Sequence, residues 1–222
     1  MMKIIRRLLL VGICVATVFT SCSQESDKPF FKEIQAFKKA DKQNPPAKNA
    51  ILFVGSSSIA IWRNIQADFP GYPVINRGFG GSGLNDAIEY EDDIIAPYQP
   101  KQIVIYSGEN DIAGNITAND VMQRFTILFN MIRRDLPDVS VVYISIKPSP
   151  SRQKFMPVMV RANAMIKKFL AGKKNTAFVD IYNKMLDASG NPRRELFRDD
   201  MLHMKRAGYE IWKEAITPHL IK

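Results

Sequence analysis

The sequence predicts an α/β fold in which helices cover both faces of a parallel sheet. Three observations point to it. Five short apolar or β-branched runs recur, at residues 50–54, 73–75, 102–106, 140–146 and 176–181. Helical patterns separate most of them, and no internal repeat, low-complexity tract or second domain boundary breaks the alternation. Strands alternating with helices are the mark of βαβ units, whose crossovers keep neighbouring strands parallel.

The elements follow in chain order. Residues 1–22 read as an export signal: Lys3, Arg6 and Arg7 precede an apolar stretch over residues 8–20, and Ser21-Cys22 follows. The stretch is shorter than the roughly 20 apolar residues that span a bilayer. Phe19-Thr20-Ser21-Cys22 resembles a bacterial lipobox, which makes Cys22 the expected lipidation site and the chain an expected cell-envelope lipoprotein. A soluble secreted form is the alternative. Cys14 lies within the leader, so the mature chain keeps Cys22 alone and forms no internal disulfide. Residues 23–48 read as a polar tether and a helix, with Phe31, Ile34 and Phe37 on one helical face over 30–42 and Asn44-Pro45-Pro46 ending it. Residues 49–222 form the main domain. Within it, residues 119–134 carry Val121, Phe125, Leu128, Phe129 and Ile132 on one face, residues 158–170 carry Val160, Ala164, Ile166 and Leu170, and an apolar helix is expected over 207–216.

Composition bounds the function. A chain of 222 residues, 46% hydrophobic and 24% charged, can bury a full core without metals or disulfides. The formal charge of +9 becomes +6 once the three leader cations are set aside, and no run of five like charges remains. Scattered charge reads as a solvated surface, with no nucleic-acid partner and no membrane contact beyond the lipid anchor; an anionic substrate is the other reading.

Four motifs occur in fixed order: Gly55-Ser56-Ser57-Ser58, Gly80-Gly81-Ser82, Gly108-Glu109-Asn110-Asp111 and Asp200-Met201-Leu202-His203. In open α/β sheets the ligand crevice lies beyond the carboxyl ends of the strands, and the first three motifs each follow one of the first three strands. A hydroxyl nucleophile needs a base, a carboxylate that orients the base, and donors for the oxyanion. Ser57, His203 and Asp200 can supply the first three, and Gly81 with Asn110 the last. Ser57 could instead cap a helix over 59–65, and Ser56 and Ser58 are neighbouring candidates. The glycine loop matches G-x-G-x-x-G, but its strand is very short and no acidic residue is placed for a ribose, which argues against a dinucleotide site. Asn110 could also be an Asx-turn residue and Asp111 a helix cap. Of the two histidines, His219 lacks a carboxylate three residues before it, whereas His203 has Asp200 there.

These blocks resemble the SGNH hydrolase superfamily, also called GDSL-like lipases and acylhydrolases, over residues 50–220. Ser56 stands where the family usually carries Asp. The resemblance implies a flavodoxin-like three-layer α/β/α sandwich with a five-stranded parallel sheet. It also implies a Ser57, Asp200, His203 triad, and an oxyanion hole formed by the Ser57 and Gly81 N–H groups with the Asn110 amide. No metal or organic cofactor is implied, and the sequence has no Cys/His cluster to hold one. An envelope member resembles esterases that remove short acyl groups, above all acetyl, from carbohydrates. Trp62, Arg152 and the loop over residues 146–153 are expected to border the pocket. The alternatives are a lysophospholipase or thioesterase of the same superfamily, which would need a long apolar channel, and a non-catalytic surface glycan-binding lipoprotein.

Overall fold

The computed structural model describes residues 27–222. The leader, Cys14 and the expected lipidation site Cys22 lie outside the described residues. Helix α1 (Phe31–Gln43) precedes strand β1 (Ile51–Gly55), the one-turn helices α2 (Ser57–Ala60) and α3 (Ile65–Asp68), and strand β2 (Val74–Gly78). Helices α4 (Leu84–Glu89) and α5 (Glu91–Ile94) lead to β3 (Gln102–Tyr106), which is followed by α6 (Glu109–Ala113) and α7 (Ala118–Asp135). Strand β4 (Ser140–Ile144), helix α8 (Met156–Ala171), strand β5 (Thr176–Val179) and helix α9 (Arg206–Ile216) complete the order.

The five strands form one parallel sheet in the order β2-β1-β3-β4-β5. Strand alternation sorts the core into two layers. Leu52, Val54, Ile103, Ile105, Val141 and Tyr143 face α1, α4, α5, α7 and α8. Ile51, Phe53, Val104, Tyr106, Val142 and Ile144 face α2, α3 and α9. Burial of both faces explains why the central strands read as continuous apolar runs. Helix α1 belongs to the first layer: Ile34 is buried in it, Phe30 meets the Phe79 ring edge-on at 5.2 Å, and Asp41 pairs with Arg77 and accepts the Tyr98 hydroxyl.

Strand β2 runs past the expected residues 73–75 through Asn76-Arg77-Gly78. It is an edge strand, and its polar residues are satisfied locally: Asn76 donates to the Ile59 carbonyl at 2.8 Å and Arg77 Nε donates to the Tyr98 hydroxyl at 2.6 Å. Helix α7 buries the five expected apolar residues. Helix α8 turns a different face inward: Met159, Ala162, Asn163, Ile166 and Leu170 are buried, while Val160 is 50% exposed and Ala164 is exposed. Asn163 is the cause. Its amide bonds both the N–H and the carbonyl of Ile146, at 2.8 and 2.9 Å, so a polar side chain occupies a core position that periodicity assigns to apolar ones.

Two strand ends meet closely where β1 stops. Gly55 has φ 153, and a Cβ there would lie 2.0 Å from the Tyr106 carbonyl oxygen, so only glycine fits. The Ser56 N–H then donates to that same oxygen at 3.2 Å. Because β1 turns to β2 on one side and β3 on the other, this edge is the switch point of the sheet.

One buried acid stands apart from the ordered pairs. Glu91, at the start of α5, is fully buried; no well-formed hydrogen bond reaches its carboxyl among the described residues, but the Asp92 and Asp135 carboxylates lie within 4.8 Å of it. Burial, then the charges of Asp135 and Asp92, push its carboxyl up from 4.5 to about 7. The folded state therefore holds the proton that the unfolded chain has released, and stability falls as pH rises from 4.5 to about 7. Glu91→Gln should flatten that decline and raise stability by about 1–3 kcal/mol at neutral and higher pH, since the amide can donate to Asp135. Urea denaturation on both sides of the window checks it; an unchanged pH profile would remove Glu91 as the cause.

Candidate active site

Each sequence motif sits on the carboxyl edge of the sheet. Ser57 is the first residue of α2 and Ser56 occupies the cap position, where its side chain makes no capping bond. The one-turn α2 replaces the longer helix expected over 59–65. Ser58 is buried, and its carbonyl accepts the Tyr209 hydroxyl at 2.9 Å. Of the three serines, Ser57 is the one that reaches a histidine.

His203 Nε2 lies 2.9 Å from Ser57 Oγ, across 146 residues of sequence. His203 Nδ1 lies 2.6 Å from Asp200 Oδ2. The other Asp200 oxygen accepts the N–H groups of Leu202 and His203, both at 2.9 Å. Met201, between the two residues, adopts φ 52, the left-handed turn that folds the acid back toward the imidazole. Burial pushes the Asp200 carboxyl up, but the His203 ring and the His203 and Leu202 N–H groups outweigh it and hold it at about 2. Asp200 is thus an anion at neutral pH, which fixes the proton on Nδ1 and leaves Nε2 free to accept from the Ser57 hydroxyl. His219 is exposed near the C-terminus, and its carbonyl accepts from Gln102 at 2.8 Å.

Donors gather on the opposite side of Ser57. The Ser57 N–H stands at the first position of a helix, where no intrahelical acceptor exists. Gly81 has φ 86, and its N–H makes no hydrogen bond among the described residues. The Asn110 amide donates one hydrogen to the Ser82 carbonyl at 2.9 Å, which leaves its second hydrogen available. Ser82 Oγ donates to the Phe79 carbonyl at 2.9 Å, and the Phe79 N–H donates to the Gly55 carbonyl at 2.9 Å. These bonds tie the first three motifs into one unit. Asp111 does not cap its own helix but the start of α4: its carboxylate accepts the Leu84 N–H at 2.9 Å and pairs with Arg124 at 2.7 Å, bracing the end of the glycine loop.

The two expected pocket residues part company. Trp62 is 2% exposed and packs among Phe53, Phe69, Tyr209 and Trp212, with its indole N–H donated to Asp68 at 2.6 Å. It is chiefly a core residue, and its small exposed edge meets a groove that it lines with Arg63, Arg198 and Lys205. Arg152 is half-buried at the site, with guanidinium nitrogens 3.3 Å from Asn110 Oδ1 and 3.5 Å from the Glu109 carbonyl. Its loop also touches the triad turn, where the Ser151 N–H donates to the Met201 carbonyl at 3.0 Å.

Residues 54–211 match the GDSL-like lipase/acylhydrolase family. The chain belongs to that family. Among solved structures it is similar to a Streptococcus pneumonia protein provisionally assigned as a platelet activating factor, at 19% identity over 95% of this chain and 99% of that one, with TM-score 0.75. It is similar also to a GDSL-like lipase from Bacteroides thetaiotaomicron, at 18% identity over 83% and 95% with TM-score 0.69. A third is an acetylxylan esterase from Geobacillus stearothermophilus, at 15% identity over 78% and 94% with TM-score 0.64. At these identities the likeness is one of fold, and it is the five-stranded α/β fold described above. No curated protein sequence matches.

This acylhydrolase-family chain also carries an ionic core that sequence reading passed over. Lys147 is fully buried, with Nζ 2.8 Å from both Glu109 oxygens, and the Tyr106 hydroxyl donates to Glu109 at 2.6 Å. Burial and then the Glu109 charge push the Tyr106 phenol well above its usual range, so it remains a neutral donor. Glu109 immediately precedes Asn110, and the pair pins the start of α6 to the loop after β4. The available signal was a lone lysine at the end of the apolar run over residues 140–146. Lys147→Met should cost about 3–5 kcal/mol, because it strands the Glu109 charge in the core. Adding Glu109→Gln should recover most of that loss. Chemical denaturation of the single and double variants checks both, and a double variant as unstable as the single would show that packing, not charge, dominates.

Proposed function

We propose that this chain is a serine esterase that hydrolyses short-chain acyl esters, chiefly acetyl esters on carbohydrates. The observation that carries the reading is the continuous relay from Asp200 through His203 to Ser57 Oγ, with bonds of 2.6 and 2.9 Å. His203 takes the Ser57 proton as the hydroxyl attacks the ester carbonyl, and Asp200 steadies the imidazolium that forms. The Ser57 and Gly81 N–H groups and the Asn110 amide receive the oxyanion; each such donor contributes on the order of 3 kcal/mol. His203 then protonates the departing alcohol, and water repeats the cycle on the acyl-Ser57 ester. The fold likeness to the acetylxylan esterase supports the carbohydrate part of the reading.

One observation favours a second reading, the lysophospholipase or thioesterase. Such an enzyme needs an apolar channel, and Ile112, Ile116, Ala118, Phe155, Pro157 and Val158 line, together with Asn115, Asn119 and Arg161, a groove of ≈ 680 Å³ whose first residue is two beyond Asn110 in sequence. Hydrolysis of p-nitrophenyl acetate, butyrate and octanoate separates the two. The proposal expects the highest kcat/KM on acetate; a maximum on octanoate would transfer the assignment to the long-chain reading.

Ser57→Ala should abolish this hydrolysis. Asn110→Ala should lower kcat by about 10²–10³-fold with a smaller change in KM, as the loss of one oxyanion donor does. Equal rates for Ser57→Ala and the unmodified protein would remove Ser57 as the nucleophile.

A further inference from the structure

We propose that a basic groove beside His203 binds the carboxylates of an acidic glycan, so that the alcohol part of the substrate is a uronate-bearing sugar. This rests on the esterase reading and narrows it. The groove, of ≈ 400 Å³, is lined by Arg63, Asn64, Arg198, Lys205 and Arg206 over an apolar floor that includes Trp62, Met204 and Tyr209. Asp68 and Glu210 hold Arg206, at 2.5 Å each. Arg63, Arg198 and Lys205 form no ion pair among the described residues, and all three are exposed. Three uncompensated cations therefore share one concavity, although Asp199 precedes the triad acid in the same loop.

The position of the groove relative to the chemistry decides what it would hold. The Arg198 N–H donates to the His203 carbonyl at 2.8 Å, Arg198 Nε donates to the Met204 carbonyl at 3.2 Å, and Lys205 is two residues past His203. Arg63 lies just beyond α2, the helix that presents Ser57. In acyl transfer the histidine hands its proton to the departing alcohol, so that alcohol must lie on the histidine side of the nucleophile. Arg198 and Lys205 belong to the same turn as His203, and Arg63 follows the Ser57 helix, so the groove is built on the segments that carry the base and the nucleophile. Clefts lined by one sign of charge focus the field and raise both the local concentration and the capture rate of oppositely charged ligands. Guanidinium forks match the two oxygens of a carboxylate, and Asn64 adds neutral polar groups suited to ring hydroxyls.

The test compares kcat/KM on acetylated uronate oligosaccharides with that on acetylated neutral xylo-oligosaccharides, for the whole protein and for the Arg63→Ala/Lys205→Ala double variant. The unmodified protein should prefer the acidic substrate, and salt should erode the preference. The double variant should lose roughly tenfold in the acidic-to-neutral ratio, mostly through KM, as two partly exposed ion pairs would. Equal rates on acidic and neutral glycans, or a preference that survives the double substitution, would overturn the proposal while p-nitrophenyl acetate hydrolysis left the esterase reading in place. Should no ester be cleaved, calorimetric titration with unacetylated uronate oligosaccharide still decides: binding lost in the double variant supports the groove against a failed esterase reading, and no binding overturns both.

Discussion

Everything at the candidate site hangs from one edge of a parallel sheet. Parallel strands end together, so the loops after β1, β2 and β3 are forced into one crevice however distant they are in sequence. The closest approach within that edge is Gly55 against the Tyr106 carbonyl, where a Cβ would lie 2.0 Å from oxygen. That contact sets how near the Ser57 helix can stand to the motif after β3. The fourth motif arrives differently, on a loop returned from the far end of the sheet, and its bond to Ser57 closes the arrangement at 2.9 Å. The site therefore depends on a constraint of backbone packing before it depends on any catalytic side chain.

Behind that edge the two sides are supported by different physics. The histidine side is held by hydrogen bonds of the turn itself, with Asp200 accepting two N–H groups and the imidazole at once. The asparagine side rests on a buried ion pair, Glu109 with Lys147, and on Arg152 placed against the Asn110 carbonyl oxygen. A buried pair gives little net stability, since desolvation offsets its attraction. What it gives here is direction: Glu109, held by Lys147 and by the Tyr106 hydroxyl, fixes where α6 begins, and Arg152 beside Asn110 Oδ1 turns the amide so that its nitrogen meets the Ser82 carbonyl.

The sequence made the sheet and the triad legible because both are written in local pattern: apolar runs of strand length, and an acid three residues before a histidine. It failed where tertiary context overrode pattern. The inward face of α8 is shifted because Asn163 satisfies a backbone gap at Ile146, and a buried amide looks like a surface residue to any periodicity argument. Trp62 read as a pocket border, and nothing in its neighbours reveals that most of it is packed in the core with only an edge on a groove. Lys147 read as loop because its partner, Glu109, is 38 residues away. Arg152 was expected at the pocket border, and its contact with Asn110 could not be seen without the fold. In each miss the deciding partner is remote in sequence, which is where single-chain pattern carries no information.

An ester has two ends, and two unlike grooves are built on the segments next to the site residues. On the segment after Asn110 the groove walls are mostly apolar, with Ile112, Ile116, Phe155 and Val158 beside Asn115, Asn119 and Arg161. On the histidine side they are basic, with Arg63, Arg198 and Lys205. In the proposed reaction the acyl carbonyl oxygen points to the donors near Asn110 and the leaving oxygen points to His203, so the polarity of each flank bears on a different half of the substrate. An acetyl group is too small to use the apolar groove, which would then be idle for the acyl part. The basic flank has no such freedom: three like charges held together repel one another, and a ligand that neutralises them relieves that repulsion as well as gaining its own contacts. Discrimination by the alcohol half, set by charge, is for that reason the stronger expectation than discrimination by acyl length.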